Sequence, residues 1–101
     1  LYLLMDAVYN KNNNFNVWEV VMYSETLISA SDREGLRCRY YLIDGAGSYG
    51  ISVLNIETGE KLCIPEISVS RTETLSLVSL LCRGGVTTLT FPEVVEDWLC
   101  T

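Results

Sequence analysis

Residues 36–64, LRCRYYLIDGAGSYGISVLNIETGEKLCI, carry the most regular pattern in this chain of 101 residues. Apolar side chains recur at every second position over residues 36–42, which is the period of a β-strand. The glycine-rich segment 44–48 then reverses the chain, and residues 49–56 again have the composition of a strand. The pattern therefore predicts an antiparallel hairpin at the centre of the fold.

Further strands are predicted on both sides of this hairpin. Upstream, Tyr23–Ala30 is rich in β-compatible residues and ends at the turn Ser31–Gly35. Downstream, the turn Glu57–Glu60 leads into a short strand, Lys61–Ile64. Pro65 ends that strand or confines it to a sheet edge, because proline lacks a ladder N–H. The expected sheet is an antiparallel β-meander of three or four strands.

A first helix is predicted directly after the strands. Ser70 and Glu73 fit the S-x-x-E capping box, in which each side chain accepts the other residue's backbone N–H. The apolar stripe of this helix consists of Leu77, Val78, Leu81 and Cys82. Gly84-Gly85 supplies the positive φ that closes a helix.

A second, shorter helix is predicted near the end of the chain. Thr90 and Glu93 repeat the capping pattern, with Pro92 in the first turn. Its apolar side consists of Val94, Val95, Trp98 and Leu99. Strands followed by helices predict an α+β domain in which the two helices pack on the meander.

The first 21 residues differ from the rest in composition. Residues 10–16 are an asparagine-rich tract that cannot bury a core. Residues 18–20 can be back-translated to a purine-rich ribosome-binding sequence just upstream of a start codon for Met22. Our hypothesis is that residues 1–21 are a non-native leader or a disordered extension, and that residues 22–101 form a single domain. The alternative is a genuine N-terminal strand joined by an asparagine-rich linker.

Charge and composition exclude several classes of function. The formal net charge is −6, with 7 Lys plus Arg against 13 Asp plus Glu, which opposes binding to nucleic acids or acidic membranes. The chain contains no histidine, the commonest general base and metal ligand. We expect no enzyme activity, no cofactor and no metal site.

The cysteines and the hydropathy indicate a cytoplasmic compartment. Cys38, Cys63, Cys82 and Cys100 are irregularly spaced and form no C-x-x-C motif. No secretory signal and no apolar run of membrane-spanning length occurs in the sequence. We therefore expect reduced thiols and no membrane association.

Two groups of residues are candidate sites. Gly45, Gly47, Ser48 and Gly50 belong to a literal G-x-G-x-x-G match and form a candidate anion loop, although a strand and not a helix is predicted to follow, as in an ordinary hairpin. Glu93, Glu96, Asp97 and Trp98 form a candidate interaction surface for a basic partner, because tryptophan is enriched at binding hot spots. The alternative for the second group is an exposed polar helix face.

Four short motifs resemble a known family. They are Tyr40-Tyr41-Leu42, Tyr49-Gly50-Ile51, Ile64–Ser68 and the acidic and apolar end Val94–Leu99. With these motifs, the stretch from Met22 to Leu99 resembles a family of short bacterial proteins, the domain of unknown function numbered 6514. The resemblance supports the α+β fold and implies no activity.

The predicted strands are apolar on both sides, and two short helices cover only one side of a sheet. We therefore expect a patch of Tyr41, Ile43 and one side of residues 49–56 to be covered in a two-fold homodimer. In the alternative, the last helix covers this face of a monomer. The expected function is a non-enzymatic protein-interaction or regulatory module with a protein partner. The alternative is a nucleotide- or anion-binding regulatory domain that uses the loop Asp44–Gly50.

Overall fold

The computed structural model describes residues 2–5, 7–9, 15–16, 20–33, 36–45 and 47–100. It confirms an α+β fold. The strands are β1 Tyr2–Met5, β2 Ala7–Tyr9, β3 Phe15–Asn16, β4 Val20–Arg33, β5 Leu36–Asp44, β6 Tyr49–Asn55 and β7 Lys61–Ser68. The helices are α1 Arg71–Arg83 and α2 Phe91–Leu99.

Strands β4 to β7 form the predicted antiparallel meander, with each strand paired to the next. The prediction was wrong about the end of β7, which continues past Pro65 to Ser68. The register explains this, because Ile51 pairs with Ile64 whereas Tyr49 pairs with Ser68. Pro65 lies in this bulge, where the missing N–H breaks no regular ladder.

Three short strands extend the meander at both edges. Strand β1 pairs with β4 in antiparallel fashion, β2 pairs with β7 in parallel, and β3 pairs with β2. The strand order is β1-β4-β5-β6-β7-β2-β3. The hypothesis that residues 1–21 are a leader or an extension stays a prediction, and the intact mass of the endogenous protein tests it.

The first two strands require the sheet to curl. Met5 pairs with Val20, and Ala7 pairs with Leu62 on the opposite edge. The path from Val20 to Leu62 crosses to the paired Met5, follows the chain for two Cα steps to Ala7, and crosses to the paired Leu62. These distances add up to at most about 18 Å. The register aligns Leu62 with Ser29, three strands away across the sheet. Ser29 lies nine residues along β4 from Val20, so a flat sheet would separate Val20 from Leu62 by about 33 Å. The two edges therefore bend toward each other.

The convex face of the curled sheet carries both helices. Its core consists of Cys38, Tyr40, Ile51, Val53, Leu62, Ile64 and Ile67 from the sheet and Leu77, Val78, Leu81, Phe91 and Val95 from the helices. Leu77, Val78 and Leu81 are fully buried, which confirms the stripe predicted for α1, while Cys82 is half-buried. On α2, Phe91 takes a buried place that the pattern did not indicate, and Leu99 is exposed.

The concave face is buried without a helix. Ile43, Ser52 and Cys63 point away from the helices and are completely buried. The expectation of an exposed patch that includes Ile43 was therefore wrong, because the curl encloses this side chain within one chain. Helix α2 packs beside α1 on the convex face and does not cross to the other side. The homodimer itself stays a prediction.

Both helices begin where they were predicted, but only one has the expected cap. Ser70 accepts a hydrogen bond from the Glu73 backbone N–H, and Gly85 (φ 62°) ends α1 in a Schellman motif. At α2, Thr90 is the N-cap residue, but its side chain makes no capping hydrogen bond. The capping box predicted for Thr90 and Glu93 was wrong, because Thr90 has a helical ψ of −8° instead of the extended value of a capping residue.

Candidate functional site

A groove of about 470 Å³ opens where the end of β7, the start of α1 and the end of α2 meet. We call it the Trp98 groove. It is lined by Ile67, Ser68, Glu73, Ser76, Trp98 and Leu99. Trp98 is half-buried and packs against the convex core, so its ring is anchored on one side and forms the groove wall on the other. Leu99 at the rim is 53% exposed.

A short relay of hydrogen bonds fixes the polar wall of the groove. The Ser70 backbone N–H donates to Ser68 Oγ at 3.0 Å, and the Ser68 hydroxyl donates to Glu73 Oε2 at 3.1 Å. In a usual capping box, the Glu73 carboxylate would accept the Ser70 N–H directly, whereas here Ser68 lies between them. The relay orients the Glu73 carboxylate at the start of α1, where its charge is favourable to the helix dipole.

The predicted interaction surface divides into two parts. Trp98 lines the groove, whereas Glu93 and Asp97 are exposed one turn apart on α2 and Glu96 is half-buried. Sequence reasoning missed Ile67, Ser68, Glu73 and Ser76, because the groove joins them to α2 residues that lie 22 to 32 positions later in the chain. The available signal was the S-x-x-E box beside an apolar pair, Ile67 and Val69.

The two chain segments that contribute to the groove are acidic in sequence. Val69, at the turn between β7 and α1, is 80% exposed and adds apolar surface beside Ser68. The flanking segments 64–78 and 91–100 carry one basic residue, Arg71, against five carboxylates. These carboxylates belong to Glu66, Glu73, Glu93, Glu96 and Asp97. The groove combines apolar walls with the Glu73 carboxylate, so it suits a ligand that carries an apolar side chain next to a positive charge.

The glycine-rich loop has the geometry of a hairpin. The Gly45 N–H donates to the Ser48 carbonyl at 3.1 Å, and Gly47 has a φ of +83°, so both residues serve the turn. Gly50 lies within β6, against the backbone of Ile64 and Pro65. Strand β6 begins at Tyr49, so the loop does not lead into the helix N-terminus that receives a dinucleotide phosphate.

Two of the four cysteines are buried core residues. Cys38 and Cys63 are buried, Cys82 is half-buried and Cys100 is exposed, and none of the four forms a disulfide. Burial raises the pKa of the Cys38 thiol above its ordinary 9.0, which disfavours the nucleophilic thiolate. Within the described residues, no group of three or more Cys, Asp or Glu side chains could hold a metal ion. Neither described helix combines the length and the apolar character needed to cross a membrane.

Comparison with known proteins identifies a family but no activity. No curated protein and no solved structure matches the chain. One family model, described as a family of unknown function (DUF6514), matches residues 18–101. The match contains β4 to β7, both helices and every residue of the Trp98 groove. Because it extends over most of the sequence and agrees with the resemblance of residues 22–99, the chain belongs to the DUF6514 family.

Proposed function

We propose that this protein is a cytoplasmic, non-enzymatic protein-interaction module whose Trp98 groove receives a basic segment of a partner protein. The observation that carries the proposal is the half-buried Trp98 beside the exposed Leu99 in a groove that also contains the Glu73 carboxylate. Anchored aromatic side chains in a concave site are typical of interaction hot spots. The compartment is supported by four cysteines that pack or lie exposed as thiols.

The chemistry of the partner follows from the groove wall. The apolar walls Ile67, Trp98 and Leu99 suit one or two aliphatic or aromatic side chains. The Glu73 carboxylate in the groove, and the exposed Glu93 and Asp97 on α2, attract lysine and arginine residues of the partner. Since these charges are exposed, salt should slow association more than it speeds dissociation.

Photo-crosslinking tests the proposal at two positions on the same helix. A photoreactive residue at Ser76 lies in the groove, whereas one at Ser79 is exposed on α1 outside the groove. We expect position 76 to capture a protein partner through a basic peptide, identified by mass spectrometry, and position 79 to capture none of it. Equal capture at the two positions, or capture of the same partner by a Trp98→Ala variant, contradicts the proposal.

The anion-loop alternative has a separate test. A thermal shift with nucleotides or inorganic phosphate measures binding to the native state. A rise in melting temperature that is lost in Ser48→Ala, with the Ser76 crosslink absent, would favour the loop Asp44–Gly50 as the functional site. We expect no rise, because the Gly45 N–H is already used by the hairpin.

A further inference from the structure

We infer that the Trp98 groove selects a lysine residue of its partner over an arginine residue. Glu73, Ser76 and Trp98 receive the lysine ammonium group, and Ser68 is a positioning residue that acts through Glu73. This selection rests on the proposed function and deepens it, because it names the basic residue that the groove binds.

Glu73 supplies the charge inside the groove. Among the described residues that line it, Glu73 is the only acidic or basic one, and the others carry aliphatic, hydroxyl or indole side chains. A positive group that enters the groove therefore meets a single carboxylate. Glu93 and Asp97 are exposed on α2 and do not line the groove, so they attract lysine and arginine alike.

One oxygen of the Glu73 carboxylate is already in use. Oε2 accepts the Ser68 hydroxyl at 3.1 Å, while no donor among the described residues reaches Oε1. Arginine binds a carboxylate best through two parallel N–H donors, one to each oxygen, so the Ser68 hydroxyl competes with half of that arrangement. Lysine is a point charge that needs only one oxygen. The occupied Oε2 therefore favours lysine.

The backbone holds Ser68 in this role. Ser68 Oγ accepts the Ser70 N–H at 3.0 Å, and its single proton is donated to Glu73. Ser68 is the last residue of β7 and Ser70 is the N-cap of α1, so both ends of the relay belong to regular structure. Oε2 is thus occupied before any ligand enters the groove.

The other donors of an ammonium group also find acceptors. Lysine has three N–H donors. Ser76 follows Glu73 by three positions on α1, so the two side chains are neighbours on one helix face, and both line the groove. The indole of Trp98 attracts a cation that lies within about 6 Å of its ring. The aliphatic stem of the lysine then packs against Ile67 and Leu99.

A titration with four short peptides tests the selection. The probes are acetylated and amidated leucine–X–leucine tripeptides, in which X is lysine, arginine, trimethyl-lysine or norleucine. NMR spectra of the full chain follow the Trp98 indole N–H and the Ser76 backbone N–H, with Ser79 outside the groove as the reference. We expect the lysine peptide to bind at least about five-fold more tightly than the arginine peptide. Trimethyl-lysine should bind more weakly than lysine, because it keeps the charge but has no N–H donor.

Three results of this titration overturn the selection. They are equal or tighter binding of the arginine peptide, equal binding of the trimethyl-lysine peptide, and the absence of any shift with the lysine peptide.

Substitutions of Ser68 distinguish selection from folding. Ser68→Ala frees Oε2, so we expect the arginine peptide to gain affinity until the preference for lysine is lost. Ser68→Thr keeps the hydroxyl and should keep the preference. A purely structural role of Ser68 would weaken both peptides by the same factor, so an unchanged preference in Ser68→Ala contradicts its role as a positioning residue.

Substitutions of two glutamates test the source of the charge. Glu73→Gln should weaken the lysine peptide at least about ten-fold and leave the norleucine peptide unchanged. Glu93→Gln, the matched control on α2, should change neither affinity more than about two-fold. Equal losses for the two variants would show that the ammonium group is attracted by the general charge of the surface and is not bound by Glu73.

Two further results separate the selection of lysine from the proposed function itself. If the photoreactive residue at position 76 captures a basic peptide but the lysine and arginine tripeptides bind equally, the proposed function stands and the selection is wrong. If position 76 captures no partner and no tripeptide shifts the signals of the groove, both are wrong.

Discussion

At the scale of the residue, Gly50 belongs to a sequence motif that resembles a phosphate-binding loop, but its role in the structure is to allow a close approach of the backbone. A Cβ at this position would overlap the carbonyl oxygens of Ile64 and Pro65, which approach β6 at the bulge. Gly47, in the same hairpin, has a positive φ but open space around it. The two glycines are therefore required for different reasons, one for close approach and one for its dihedral angle.

We predict that Gly50→Ala lowers the free energy of unfolding by at least about 2 kcal/mol, because β6 and β7 must separate to admit the methyl group. The matched substitution Gly47→Asn should cost less than about 1 kcal/mol, since asparagine tolerates a positive φ. Urea denaturation of both variants measures the difference. Similar losses for the two variants would show that the close approach at the bulge is absent.

Tyr40 connects the sheet to the segment after α1. Its buried hydroxyl donates to the Val86 carbonyl at 2.7 Å, and burial, followed by the charges of Cys38 and Cys82, raises the pKa of Tyr40 above its ordinary 10.0. Because the pKa of Tyr40 is higher in the folded state than in the unfolded state, protonated Tyr40 stabilises the fold. This contribution is complete below pH 10 and is lost as the pH rises through the folded-state pKa. The raised pKa of Cys38 acts in the same direction from pH 9 upward.

We therefore predict that the free energy of unfolding is constant from pH 7 to pH 8.5 and falls above pH 9. Tyr40→Phe should lose about 1 kcal/mol at pH 7 with its hydrogen bond and then fall less steeply above pH 10. Urea denaturation at a series of pH values provides the measurement. An unchanged slope above pH 10 in the variant would assign the alkaline loss to other groups.

At the scale of the element, local signals predicted what local interactions determine. The meander, the start and stripe of α1 and its glycine end were all foreseeable, because each depends on neighbours within a few residues. The continuation of β7 past Pro65 was not foreseeable, since it depends on a bulge opposite Gly50 in another strand. The Trp98 groove was missed for the same reason, because only tertiary packing joins Glu73 to Trp98.

The helical phase of α1 gives a direct prediction. Leu81 is fully buried between helix and sheet, and Ser79 is exposed two residues away. Leu81→Ala should cost about 2–5 kcal/mol through lost burial and the cavity that remains. Ser79→Ala should change stability by less than about 0.5 kcal/mol. Urea denaturation curves with equal midpoints for the two variants would contradict this orientation of the helix.

At the scale of the whole molecule, the curl of the sheet explains how both apolar faces of the strands are buried. Alternation predicted strands that are apolar on both faces, and a flat sheet with helices on one side leaves the second face open. In the structure, Ile43, Ser52 and Cys63 are buried on the face without helices, and β1 and β2 pair with opposite edges of the meander. Sequence reasoning could not foresee this, because residues 7 and 8 pair with residues 62 and 63.

The charged pair in the concave face tests this enclosure. Lys61→Met removes the ammonium group that lies 2.8 Å from Glu25 Oε1, so we predict a loss of about 3 kcal/mol. Glu25→Gln combined with Lys61→Met should be more stable than Lys61→Met alone, because the buried negative charge is then removed together with the positive one. A double-mutant cycle by urea denaturation measures the coupling. A coupling near zero would indicate that water reaches the pair freely.

The pairing of β2 with β7 also imposes an order on folding. It joins positions about 55 residues apart, whereas the hairpins of the meander close short loops. Loop closure costs more entropy as the separation grows, so the meander is assembled first. During translation at about 5–20 residues per second, Ala7 is synthesised about 3–11 s before Leu62. Strand β2 is thus made early, must wait for its partner β7 and is the last to be paired with the meander.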